Sequence, residues 1–90
     1  MDNENSSVQR IYKIHDLHIG KMIESELRHQ RRPVAWLASR LFCDRTNAYK
    51  LLKRRNIDIE QLIRISVILN HNFLAEMSTF IDHRLHTDVE

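Results

Sequence analysis

The sequence predicts an all-α fold, a compact bundle of about five short helices. Three observations carry that expectation. Glycine and proline occur once each in 90 residues, as Gly20 and Pro33, whereas tight hairpins need glycine or Asn-Gly at positive φ. Apolar residues recur at helical spacing in successive stretches. Between the stretches stand residues that start or stop helices: Arg31-Arg32-Pro33, Asp44, Asp58 and Asn72. The length fits one domain, and a hydrophobic fraction of 42% suffices for one small core.

Residues 1–14 read as a tail, flexible or partly ordered. Within it Val8, Ile11, Tyr12 and Ile14 fit either an extended segment or a short helical turn. The domain proper spans 15–86, and 87–90 read as a second tail. The first helix starts near Asp16–His18 and runs to about Gln30, with Ile19, Ile23 and Leu27 on one stripe. Gly20 inside it costs about 1 kcal/mol against alanine, so a close approach by a neighbouring helix is expected there. Pro33 disfavours helix in the residue before it and suits the start of the next one.

Val34, Leu37, Ala38 and Leu41 then mark a second helix. Asp44 is a natural N-cap for a third that carries Ala48, Leu51 and Leu52 inward. Asp58, with Gln61 three residues on, nearly forms a capping box for a fourth, whose stripe is Leu62, Ile65, Ser66 and Leu69. Asn72 caps a fifth, with Phe73, Met77, Phe80 and Ile81 as its apolar side.

Charge is distributed unevenly beneath a net of +2. Residues 1–27 hold three basic and five acidic side chains, and residues 56–90 hold two and six. Between them, residues 28–55 hold nine basic side chains against Asp44 alone. A basic block in an otherwise acidic chain implies a polyanionic partner for that block, although solvated faces also carry such runs.

The block coincides with a specific pattern. Two short amphipathic helices are joined by about three residues, with Leu37, Leu41, Cys43, Ala48 and Leu51 as a shared apolar underside and Ala38 at their crossing. The second of them turns Arg45, Thr46, Tyr49, Lys50 and Lys53 outward, where each can hydrogen-bond. A helix of that kind fits the ~12 Å major groove of DNA with its N-terminal residues against base edges.

The stretch Val34-Ala-Trp-Leu-Ala-Ser-Arg-Leu-Phe-Cys-Asp-Arg-Thr-Asn-Ala-Tyr-Lys-Leu-Leu-Lys53 resembles the bihelical core of lambda-repressor/Cro-like regulators, the xenobiotic-response-element type of bacterial helix-turn-helix protein. Leu37-Ala38, Leu41, Ala48 and Leu51 stand at that family's apolar and small positions, and the resemblance extends over about 16–80. It implies sequence-specific binding of double-stranded DNA by a small transcriptional regulator, cytoplasmic and nucleoid-associated. Arg45, Thr46, Tyr49 and Lys50 match its base-reading slots, and Arg31, Arg32, Lys53, Arg54 and Arg55 flank the motif and suit phosphate contacts.

Two positions depart from the family pattern. Phe42 stands where the turn glycine is usual, so the turn must change geometry or accept a side chain. Pro33-Val34 replaces the helix-opening glutamine, so that residue's phosphate contact does not transfer.

Other signals imply less. His15/His18 and His83/His86 have helical i, i+3 spacing, but neither pair has further ligands beside it, and solvated histidines are expected. Cys43 reads as a small buried side chain rather than a redox thiol, and Trp36 as core or groove filling. No nucleophile–base pair, phosphate loop or paired carboxylate is legible, so no enzyme, cofactor, metal or small-molecule effector is expected. No apolar run approaches the ~20 residues of a membrane span, and nothing resembles a signal peptide. Phe80, Ile81 and Leu85 near the C-terminus imply either an uncovered patch, and with it a homodimer through the C-terminal helix, about 76–86, or a last helix that folds back on the fourth and completes a monomer. The competing reading is a helical protein–protein module, an antitoxin or adaptor, with the same fold. RNA binding is disfavoured by the scarcity of aromatics for base stacking.

Overall fold

In the computed structural model residues 17–88 are described, with side chains for 17–86. The tail expected over 1–14, including the undecided Val8–Ile14 stretch, lies outside them. The described chain is all-helical: α1 (Ile19–His29), α2 (Val34–Arg40), α3 (Arg45–Leu52), α4 (Ile59–Leu69) and α5 (Phe73–Asp88). The last helix runs two residues past the boundary expected at 86.

Each helix starts where its cap allows. Asp44 accepts the Asn47 N–H at 2.8 Å, Asp58 that of Gln61 at 2.7 Å, and Asn72 that of Ala75 at 3.0 Å. Such caps satisfy N–H groups that a helix start leaves unbonded, and each is worth ~1 kcal/mol. The capping box expected at Gln61 is not what forms there. The Gln61 amide oxygen accepts from Arg64 at 2.9 Å instead. At α1 the cap is His18, whose Nδ1 accepts the Lys21 N–H at 3.0 Å. Pro33 precedes α2 in extended conformation (φ −75°, ψ 159°) and supplies no side-chain cap.

Three helix ends pass through a left-handed residue, and none of the three is glycine: Arg31 (φ 58°), Phe42 (φ 57°) and Asn70 (φ 51°). Around Phe42 the pattern is the paired one of a Schellman end. Its N–H donates to Ser39 at 3.2 Å, and the Cys43 N–H reaches back to Ala38 at 3.0 Å. Arg31 and Arg32 repeat it on Arg28 and Leu27. Asparagine tolerates this conformation, whereas a larger side chain costs about 1–2 kcal/mol. The turn before α3 therefore keeps its left-handed geometry and accepts the strain of Phe42.

The chain's one glycine serves a different purpose. The first two N–H groups of α1 bond to the segment after α3, Ile19 to the Arg55 carbonyl at 3.0 Å and Gly20 to that of Arg54 at 2.9 Å. A Cβ on Gly20 would lie 2.2 Å from the Leu52 carbonyl oxygen and 2.6 Å from that of Arg54. The expected close approach is present, and what approaches is backbone at the end of α3 and just beyond.

The core gathers Ile19, Ile23 and Leu27 of α1, Leu37 of α2, Leu51 and Leu52 of α3, then Ile57, Leu62, Ile65, Leu69 and Phe73. Ala38 and Ala48 are also buried. Full burial of one such aliphatic side chain contributes about 1.5–3 kcal/mol. Among the described residues no polar or charged side chain is buried, so the core is apolar throughout. Polar ties lie at its edge. The Gln30 amide donates to the Leu69 carbonyl and to Glu26, both at 2.8 Å, joining the C-terminal ends of α1 and α4. Ser66 accepts the Phe73 N–H at 3.4 Å, which explains its place on an otherwise apolar stripe.

The apolar side expected of α5 needs one correction. Phe73 is buried and Met77 and Phe80 are half-buried, but Ile81 is exposed. Residue 81 is 100° around the helix from residue 80, and the core ends between them.

Candidate nucleic-acid interface

The short helix α3 is two-sided because Ala48, Leu51 and Leu52 fill the core beneath it. The residues left facing solvent are those the sequence singled out: Arg45, Thr46, Tyr49, Lys50 and Lys53 are all exposed. At 3.6 residues per turn they fall within an arc of about 140°. Asn47 is exposed as well, though the sequence reading passed over it.

Among the described residues, the charges on this face differ from the paired charges of α1 and α4. Acidic groups elsewhere pair with nearby bases: Glu24 with Arg28 at 3.4 Å, Glu60 with Arg64 at 3.7 Å, and Glu26 and Glu76 with His71 at 3.5 and 2.9 Å. Among the described residues no carboxylate pairs with Arg45, Lys50, Lys53, Arg54 or Arg55. Asp44, the lone acid of the block, is occupied in capping α3. Clustered charge of one sign without counter-charge produces a field that attracts polyanions.

The five flanking bases do not form one cluster. Arg54 and Arg55 follow α3, and their carbonyls hold the N-terminus of α1. Arg31 and Arg32 lie at its other end. Eleven residues at 1.5 Å each separate the two groups by about 16 Å. The carbonyls of Arg54 and Arg55 accept from α1, the N–H groups of Arg31 and Arg32 donate back to it, and all four side chains stand in solvent.

Arg32 carries a contact that sequence reasoning missed. Its guanidinium lies 4.1 Å from the centre of the Trp36 ring, and that of Arg40 lies 5.3 Å from the same ring. Trp36 is half-buried, packed against the core and stacked with these cations. Each such stack is worth ~0.5–1 kcal/mol at an exposed site. Trp36 and Arg40 share α2 at i, i+4 spacing, whereas Arg32 precedes the extended Pro33 and its place over the ring had no local signal.

Two further side chains stand differently from expectation. Cys43 is half-buried rather than buried, beside a shallow hollow of about 190 Å³ that Asn47, Lys50 and Gln61 also line. Phe42 is 96% exposed, two residues before the α3 cap Asp44. Of the spaced histidines, His15 lies outside the described residues, His18 caps α1, and His83 and His86 are exposed.

Among the described residues no group of three or more His, Cys, Asp or Glu is placed to hold a metal ion. No described helix is long and apolar enough to cross a membrane. No protein-family model matches the chain, nor does any curated protein or solved structure.

Proposed function

We propose that this chain binds double-stranded DNA sequence-specifically as a small transcriptional regulator. In this reading α2, the Phe42 turn and α3 act as a helix-turn-helix, with α3 in the major groove. The observation that carries it is the outward arc of Arg45, Thr46, Tyr49, Lys50 and Lys53, exposed and, among the described residues, without acidic partners. Arg45 and Thr46 open the helix and point donors and a methyl group at base edges; arginine reads guanine bidentately, and a threonine methyl suits thymine. Tyr49 and Lys50 continue the reading surface one turn on. Arg31, Arg32, Lys53, Arg54 and Arg55 contact phosphates and set the register of the helix. Trp36 restricts Arg32 and lowers the entropy lost when it binds a phosphate.

Selection of bound sequences from a random duplex library tests this reading. A recovered motif of several fixed base pairs supports it. Recovery of no motif, with no binding at low salt, favours the adaptor reading. The exposed aliphatic residues of α4 and α5 are the observation on that side.

A further inference from the structure

Trp36 is the chain's one tryptophan, and two arginines converge on it. Arg32 comes from just before Pro33, and Arg40 is the last residue of α2. Their guanidinium groups lie 4.1 and 5.3 Å from the ring centre, which places the two cations no more than about 9.4 Å apart. Like charges this close repel. The electron-rich face of the ring offsets part of that. Among the described residues neither arginine has a carboxylate partner, and both are exposed.

The group is also held in place. The Gln30 amide nitrogen donates to Glu26 and to the Leu69 carbonyl, both at 2.8 Å, which fixes its amide oxygen as the acceptor for Arg32 Nε at 3.4 Å. Arg32 is thus restrained by Gln30 on one side and by the ring on another. Its terminal nitrogens, every guanidinium nitrogen of Arg40 and the Trp36 indole N–H have no acceptor among the described residues. The indole nitrogen is not buried. Donors of three side chains therefore stand around one ring, two of them charged, with no anion to meet them.

We propose that Arg32, Trp36 and Arg40 form a phosphate clamp that seats the phosphodiester backbone of duplex DNA on α2. The proposal rests on the DNA reading above and adds two roles to it. Arg40 becomes a phosphate ligand, and Trp36 becomes the positioning residue for both cations. A guanidinium stacked by its face keeps its N–H edges for phosphate oxygens, which it meets in pairs. Arginines already ordered on the ring lose less freedom on binding. The bound backbone supplies the counter-charge that the two cations lack. A contact at the end of α2 also fixes that helix against the duplex, and with it the angle at which α3 enters the groove.

Because Trp36 is the chain's one tryptophan, its emission reports on the contact itself. Wild-type chain is titrated with labelled random-sequence duplex by anisotropy, and acrylamide quenching of Trp36 is measured with and without saturating unlabelled duplex. A backbone held against the ring should lower the quenching constant to about half. Arg40→Gln should weaken binding to all sequences by roughly threefold to tenfold and flatten the slope of log K against log salt by about one unit. Trp36→Leu keeps an apolar side chain against the core and both charges, so binding should weaken several-fold with the slope unchanged. Trp36→Tyr keeps a ring for the cations and should recover most of that loss. With duplex bound, either an unchanged quenching constant or an unchanged slope in Arg40→Gln overturns the clamp and leaves the DNA reading standing. Absence of duplex binding at low salt overturns both.

Discussion

The N–H of Gly20 donates to the carbonyl of Arg54 at 2.9 Å, and the same approach leaves no space for a side chain at position 20. The Leu52 carbonyl oxygen lies 2.2 Å from where a Cβ would sit, and a backbone oxygen cannot rotate away as a side chain can. Gly20→Ala should therefore push α1 off the end of α3 and break the bonds to Arg54 and Arg55. Overpacking usually costs about 1–3 kcal/mol, and here the upper end or more is expected because the obstacle is backbone. Urea denaturation of the purified variant checks it. A loss under ~1 kcal/mol, the ordinary range for a surface change, would show that the contact is soft.

Phe42 gives the opposite expectation. It holds φ 57° while almost wholly exposed, so it bears left-handed strain with no core contact in return. Phe42→Gly should stabilise the chain by about 0.5–1 kcal/mol, strain relief outweighing the added freedom of the unfolded chain. Thermal unfolding measures the sign. Destabilisation would mean that the Phe42 ring is held by the rest of the domain.

Local signals made most of the helix plan legible in the sequence. Asp44, Asp58 and Asn72 cap the helices they were expected to cap, because an Asx oxygen needs only the N–H three residues on. Gly20 was legible for a related reason: a costly residue inside a helix implies a neighbour that requires it. Ile81 was not, since adjacent apolar residues on a helix point 100° apart and only packing decides which is covered. Ile59, Ile63 and Val67 were hidden in the same way, beside the buried Leu62, Ile65 and Leu69 of an almost wholly apolar helix. The outward side chains of α3 were legible from periodicity, whereas the Arg32–Trp36 stack depends on rotamers. His71, between Glu26 and Glu76 and edge-on to Phe73 at 4.6 Å, joins three elements and had no local signature.

Arg45 opens α3 immediately after its cap, exposed and, among the described residues, without an acidic partner. Arg45→Ala should weaken binding to the selected site by about 1–3 kcal/mol and relax preference at one base position, with unfolding unchanged. Library selection on the variant reads this directly. An identical motif from mutant and wild type would remove Arg45 from base reading.

Arg54 and Arg55 hold α1 through their carbonyls, so changing their side chains leaves those bonds in place. Replacing both with Gln should weaken binding to all sequences about equally. The slope of log K against log salt should flatten by ~1–2 units, one for each phosphate no longer neutralised. Weakening confined to one sequence, with the slope unchanged, would make them base readers instead.

On this reading the basic face of α3 and its flanks meet phosphates. Binding of the wild-type chain to random-sequence duplex DNA, titrated across salt concentration, tests this most directly. With about five to eight bases engaged, the slope of log K against log salt should lie near −4 to −7. Negligible association at low salt, or an affinity that salt leaves unchanged, would contradict it.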